Sequence, residues 1–154
     1  LWVITPILIA LEQGIKLFIY HNHLDASRPI LKPWLFFDPL FNRDYSWINS
    51  LFQLGIGKWL HILLVIAVLV MIGLLYSYLK RKKIQSALID VTFSLLFAGA
   101  VCSLIDKVFW NGSLDYILLN GYFTFDLKDV FINTALGLIA LMVLTDHKGL
   151  RTSE

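Results

Sequence analysis

The stretch ILLVIAVLVMIGLLYSYLKRKK, residues 62–83, decides the class of this chain. As far as Tyr78 its only ionisable side chains are tyrosines. A run of about 20 such residues forms a helix long enough to cross a bilayer. The run then ends in Lys80-Arg81-Lys82-Lys83. Compact basic clusters stay on the cytoplasmic side of a membrane, so this one marks a cytoplasmic loop. The next apolar stretch, 91–105, carries no charge at all, and 130–144 is a third. Composition agrees, since 58% of the 154 residues are hydrophobic, against roughly half in soluble domains. The reading is an all-α membrane protein with four transmembrane helices, over about 2–20, 59–79, 87–105 and 129–144. Four short spans make a single bundle, so 1–154 is read as one domain.

Four spans around a cytoplasmic 80–83 loop put both termini inside, with Lys148 and Arg151 on that same side. Segments 21–58 and 106–128 then lie outside. The net charge of +2 says little by itself. The basic residues of 21–58 are diluted over a long segment and interleaved with Asp25, Asp38 and Asp44, unlike the 80–83 run. That outer segment is rich in aromatics, among them Trp34, Phe36, Phe37, Phe41 and Trp47, which suits a structure resting at the membrane interface. Pro29, Pro33 and Pro39 break any long helix there, and 35–37 and 40–41 read as short strands. Asn111-Gly112 and Asn120-Gly121 signal tight turns, the second joining 116–119 to 122–125 as a β-hairpin. The expected β element is therefore small and extracytoplasmic. The first apolar segment has no basic leader region and no small-residue cleavage site, so it is expected to stay as a span. The single cysteine, Cys102, allows no internal disulfide.

Charged residues at the edge of the spans carry the functional signal. Asp106, Asp115, Asp126 and Asp129 gather near the outer ends of spans three and four, and Glu12 and Lys16 reach the same level from span one. Carboxylates at this depth are costly and usually have a purpose and a partner. Two held close together share one proton near neutrality, because like charges raise one of their pKa values. The ionised member takes a proton from water and the protonated member donates to a carbonyl oxygen, which is the minimum kit of an aspartic hydrolase. Asp129 sits at a helix N-terminus, a placement that also fits simple capping. Asp115 follows a turn and is flanked by apolar residues that aim it at the bundle. Asp106 reads as an ion pair with its neighbour Lys107, Asp126 as a solvated loop residue, and Lys16 as either a snorkelling lysine or a support for the site. Glu12 and Lys16, four apart, share a helix face and are expected to pair.

In order along the chain, these residues form a pattern. Residues 98–107, AGAVCSLIDK, resemble the third-span motif G-A-x-x-N-x-x-D-R of lipoprotein signal peptidase (signal peptidase II). Ser113-Leu114-Asp115-Tyr116-Ile117 is similar to that family's V-V-D-F-I, and Phe125-Asp126-Leu127-Lys128-Asp129 to its F-N-x-A-D. Glu12-Gln13-Gly14-Ile15-Lys16 resembles its D-Q-x-x-K, and Asn42 stands where it has a substrate-contacting asparagine. The resemblance implies a catalytic dyad of Asp115 and Asp129. It implies supporting or substrate-binding roles for Lys16, Asn42, Gly99, Ser103, Asp106, Lys107 and Asp126. The chain departs from the family at Ser103 (asparagine), Lys107 (arginine, losing a bidentate fork), Asp126 (asparagine), Lys128 (alanine) and Glu12 (aspartate). An added charge at Asp126 raises the pKa values of the pair unless Lys128 or Lys107 compensates.

The implied activity is an intramembrane aspartic endopeptidase that removes the signal peptide of diacylglyceryl-modified prolipoproteins. It implies the bacterial cytoplasmic membrane, an extracytoplasmic active site, lipidated prolipoproteins and membrane lipids as partners, and inhibition of the globomycin type. No cofactor is implied. The histidines His21, His23, His61 and His147 have no ligand spacing, so no metal is expected. No phosphate loop, serine or cysteine nucleophile with a base, or nucleic-acid signature is present. The alternative is a catalytically inactive homologue acting as a membrane chaperone or scaffold, with the departures at Ser103, Lys107 and Asp126 as its support. A proton-relay transporter would show internal repeats or broken helices, and the sequence has neither.

Overall fold

The computed structural model describes residues 3–84 and 86–145. Trp2, His147, Lys148 and Arg151 lie outside the described residues. Helix α1 (Ile4–Asn22) leads to strands β1 (Arg28–Leu31) and β2 (Leu35–Asn42), a short helix α2 (Trp47–Phe52) and the long α3 (Lys58–Arg81). Helix α4 (Ala87–Ile105) continues into a π-helical turn (Asp106–Trp110), followed by β3 (Ser113–Leu119), β4 (Phe123–Phe125) and α5 (Leu127–Leu144). The molecule is mostly helical, with one small antiparallel sheet. Among the described residues three helices are long and apolar enough to cross a membrane: Lys58–Arg81, Ala87–Trp110 and Leu127–Leu144.

Helix ends follow local chemistry. Ser86 caps α4 by accepting the Ile89 N–H at 3.2 Å. Asp126 caps α5 through a reciprocal capping box with Asp129. The anticipated spans fall within a few residues of these helices; α5 starts two residues before Asp129 because Asp126 is the cap. Along α3, Leu63, Met71 and Leu74 are each 60% exposed or more. A helix that leaves a broad apolar face uncovered belongs in lipid. Helix α4 is the centre, packed against α1, α3 and α5. Gly99 permits the α4–α5 approach: a Cβ there would stand 3.2 Å from the Lys128 carbonyl oxygen and 2.5 Å from Ile132 Cγ1.

The sheet has order β1-β2-β3-β4 and sits at the end of the bundle where α1 and α4 finish and α3 and α5 begin. The hairpin expected around Asn120-Gly121 is present, pairing Ile117 with Phe125 and Leu119 with Phe123. The two short strands expected at 35–37 and 40–41 are one strand with a register shift between Phe37 and Leu40. Pro39 lies inside that shift, where its missing N–H costs no ladder bond. Strand β1 and helix α2 were not anticipated. Both are short; β1 is exposed throughout, and α2 exposes Ile48, Leu51 and Phe52 around a buried Asn49, with no periodic pattern to announce them.

Candidate active site

Asp115 projects from β3 and Asp129 from the first turn of α5. One carboxylate oxygen from each of Asp115, Asp126 and Asp129 lies within 4.8 Å of the others. A single water between two acceptors spans about 5.5 Å, given hydrogen bonds of 2.7–2.8 Å. Asp115 and Asp129 thus lie within one water of each other. Both line a cleft of about 700 Å³, together with Asn42, Ser103, Lys107 and Asn133. Its remaining walls include Leu119, Phe123, Phe125 and Val130 from the hairpin and α5. The arrangement is a polar spot on an apolar groove, the usual form of a site for an amphiphilic ligand.

Behind the cleft lies a buried ion network. Lys16, fully buried on α1, places Nζ 3.0 Å from Glu12, 2.5 Å from Asp106 and 2.6 Å from Asp126. Lys128 pairs with Asp126 and lies 3.2 Å from Asp106 and 3.6 Å from Asp115. Gln13 donates to Asp106 at 3.2 Å and accepts from Trp110 Nε1 at 3.1 Å. Tyr116 donates to Glu12 at 3.1 Å and accepts the Leu127 N–H at 3.2 Å, joining β3, α1 and α5. Ions taken out of water this far are tolerable only with several partners of opposite charge, and α1, the π-helical turn, β3 and the start of α5 supply them.

Three expectations are corrected here. Asp126 is not a solvated loop residue: it is fully buried as the α5 cap and joins both lysines. Asp106 does not pair with Lys107. Its ionic partners are Lys16 and Lys128, because the π-helical turn rotates it inward, while Lys107 donates to Ser103 at 2.8 Å. Lys16 does not snorkel, since its amine ends on carboxylates inside the protein. The structure brings Asp115, Asp129, Asn42, Ser103 and Lys107 to the cleft, keeps Lys16, Asp106 and Asp126 behind it, and leaves Gly99 in the helix contact. Asn42 accepts the Asp44 N–H at 3.0 Å, so it shapes a turn as well as facing the cleft. Asn49 holds its loop through Asp44 and Ile56, and Asn133 donates to the Asp129 carbonyl at 2.8 Å. Glu12, Gln13, Ser113, Tyr116 and Lys128 complete the constellation. Of these, Glu12 pairs with Lys16 as their spacing of four predicts, and Lys128 stands out in the sequence as a charge two residues from Asp126.

Burial raises the pKa of Asp115, and the nearby lysine charge only partly offsets it. Burial also pushes Asp126 upward, but the ammonium groups of Lys128 and Lys16 outweigh it and hold that carboxyl well below the usual range. A depressed folded pKa contributes stability above the unfolded value of about 3.9, and loses it as pH falls through the folded value. Asp126→Asn should therefore lower the thermal midpoint at pH 6, with the gap to wild type closing below about pH 4. A gap that widens in acid would contradict this account of Asp126.

The chain matches the model of the family described as signal peptidase (SPase) II over residues 4–145. It is 30% identical to the lipoprotein signal peptidase of Bartonella henselae over 88% of this chain and 81% of that one. It is 28% identical to the enzyme of the same name from Clostridium novyi over 77% and 79%. Its fold superposes on a bacterial membrane enzyme solved by the in meso method, with TM-score 0.75 and 24% identity over 99% of this chain and 92% of that one. The chain is a membrane protease. It belongs to the signal peptidase II family.

Proposed function

We propose that this protein cleaves the signal peptide from diacylglyceryl-modified prolipoproteins, on the amino side of the lipidated cysteine, with Asp115 and Asp129 as its catalytic pair. The observation that carries this reading is the approach of the two carboxylates, within 4.8 Å, on the wall of an apolar cleft. Water held between them attacks the scissile carbonyl carbon. One carboxylate takes its proton while the other gives one to the carbonyl oxygen. Collapse of the tetrahedral intermediate breaks the C–N bond, and the leaving amine is protonated by the carboxylic acid that took the water proton. The hydroxyl proton of the intermediate returns to its first donor, so the pair ends as it began. The apolar walls suit the acyl chains of a diacylglyceryl group, and those walls open towards lipid.

Helix α1 serves as the fourth span in this reading. Its outward side carries Ile7, Leu11, Leu17 and Phe18, while Glu12 and Lys16 turn inward. Its charges then cost nothing in lipid contact, although they lower its overall hydropathy. In this reading the sheet and cleft lie on the extracytoplasmic face of the bacterial cytoplasmic membrane, with the basic 80–83 run as its support. The partners are lipidated precursors and membrane lipids, and a globomycin-type compound occupies the same cleft. The test uses the purified protein in detergent, with one precursor prepared with and without the diacylglyceryl group. The lipidated form should be cut ahead of its cysteine and the other form at most about a hundredth as fast, because remote binding energy is spent at the reacting centre. Equal rates on both would refute the lipid-directed reading.

A further inference from the structure

Lys128 and Ser113 stand beside the proposed pair, at positions where the family motifs carry alanine and valine. Both are buried. Lys128 Nζ lies 2.7 Å from Ser113 Oγ, and Ser113 Oγ lies 2.6 Å from Asp115 Oδ1. Ser113 Oγ also approaches Asp106 at 3.1 Å and Asp126 at 3.2 Å. A hydroxyl has only one proton to give. The ammonium cannot accept it, and Asp115 is the nearest acceptor by about 0.5 Å. The chain of donation therefore runs from Lys128 through Ser113 to Asp115. Lys128 also reaches Asp115 directly at 3.6 Å, and its charge acts on Asp129 as well, so the Ser113 hydroxyl is what favours Asp115.

We propose that Lys128 and Ser113 are positioning residues that hold Asp115 as the ionised member of the pair, leaving Asp129 with the shared proton. Asp115 then takes the proton of the attacking water, and Asp129 donates to the carbonyl oxygen. Asp129 receives one neutral backbone N–H, from Asp126 at 3.3 Å. A neutral bond of that length stabilises a carboxylate less than a charge-assisted relay with a 2.6 Å last step. The other ionisable groups around Lys128 and Asp115 are Glu12 and Lys16 on α1, Asp106 and Lys107 at the end of α4, Tyr116 on β3, and Asp126 and Asp129 on α5. Lys16 is engaged by Glu12, Asp106 and Asp126, and Lys107 by Ser103. Lys128 is thus the ammonium group that the structure pairs with Asp115.

The inference rests on the proposed peptidase reading and is tested within it, through the pH dependence of kcat/KM on a lipidated precursor. The acidic limb of that profile reports the base of the free enzyme. Two variants are compared with wild type. Lys128→Ala removes the ammonium that acts on Asp115 and leaves Lys16 paired with Asp126. Ser113→Ala breaks the relay without changing any charge. The acidic limb should move up by about one pH unit in Lys128→Ala, and in the same direction by less in Ser113→Ala. A limb that stays in place in active Lys128→Ala overturns the proposal. Should that variant not fold, a limb unmoved in Ser113→Ala overturns it equally. Wild type that cleaves no precursor would instead defeat the underlying peptidase reading.

Discussion

Asp115→Asn and Asp129→Asn should each lower turnover of a lipidated precursor by about 10²–10⁴-fold, the range that one acid–base group contributes. Asparagine keeps the shape and one acceptor oxygen at either position. At 115 it still receives the Ser113 hydroxyl, and at 129 it still receives the Asp126 N–H that closes the capping box. Both variants should fold, with thermal midpoints close to wild type. Each also relieves the crowding of carboxylates within 4.8 Å of one another. What neither can do is take a proton from water or give one to a carbonyl in the way a carboxyl does. The loss belongs in kcat rather than in KM, because the apolar walls that bind acyl chains are untouched.

Lys16→Met should be the most destabilising single change at this end of the bundle. It leaves Glu12, Asp106 and Asp126 facing one another inside the protein without their central cation. Breaking a buried pair by removing one partner costs about 3–5 kcal/mol. The contrast is Lys80, whose 3.0 Å pair with Asp90 is about a third exposed at the opposite end. Lys80→Met should cost at most about 1 kcal/mol. Thermal midpoints of the two variants in the same detergent check the ordering, and equal shifts would show that the Lys16 network is not a structural centre. Since Lys16 touches neither cleft nor substrate in this account, its effect on kcat per folded molecule should be modest.

The membrane class was readable because α3 and α4 are written in an unmistakable chemistry, long apolar runs ended by polar caps or a basic cluster. The hairpin was readable from Asn120-Gly121, since the turn needs a residue that accepts positive φ, and Gly121 has φ of 81°. Asp115 and Asp129 were readable as candidates because carboxylates are expensive beside lipid. Which cation answers which anion was not readable. Adjacency in sequence pointed from Asp106 to Lys107, whereas the π-helical turn sends the two side chains to different partners, Lys16 and Ser103. Asp126 looked like a loop residue because a cap at a helix start and a solvated turn have the same composition. Ser113 gave no signal at all: a serine two residues before an aspartate is unremarkable until the strand pleat puts both on one face. Long-range pairings between α1, β3 and α5 depend on the assembled bundle, and no local pattern encodes them.

The central claim is that two carboxylates act as one device, and a double-mutant cycle on precursor cleavage tests it most directly. Turnover is measured for wild type, Asp115→Asn, Asp129→Asn and the variant carrying both changes, each normalised to folded protein. Residues that share one catalytic task are strongly non-additive. The account predicts that either single change removes nearly all of the activity and that the second removes little more. Wild-type turnover in either single variant, or independent losses that multiply in the double, would contradict it.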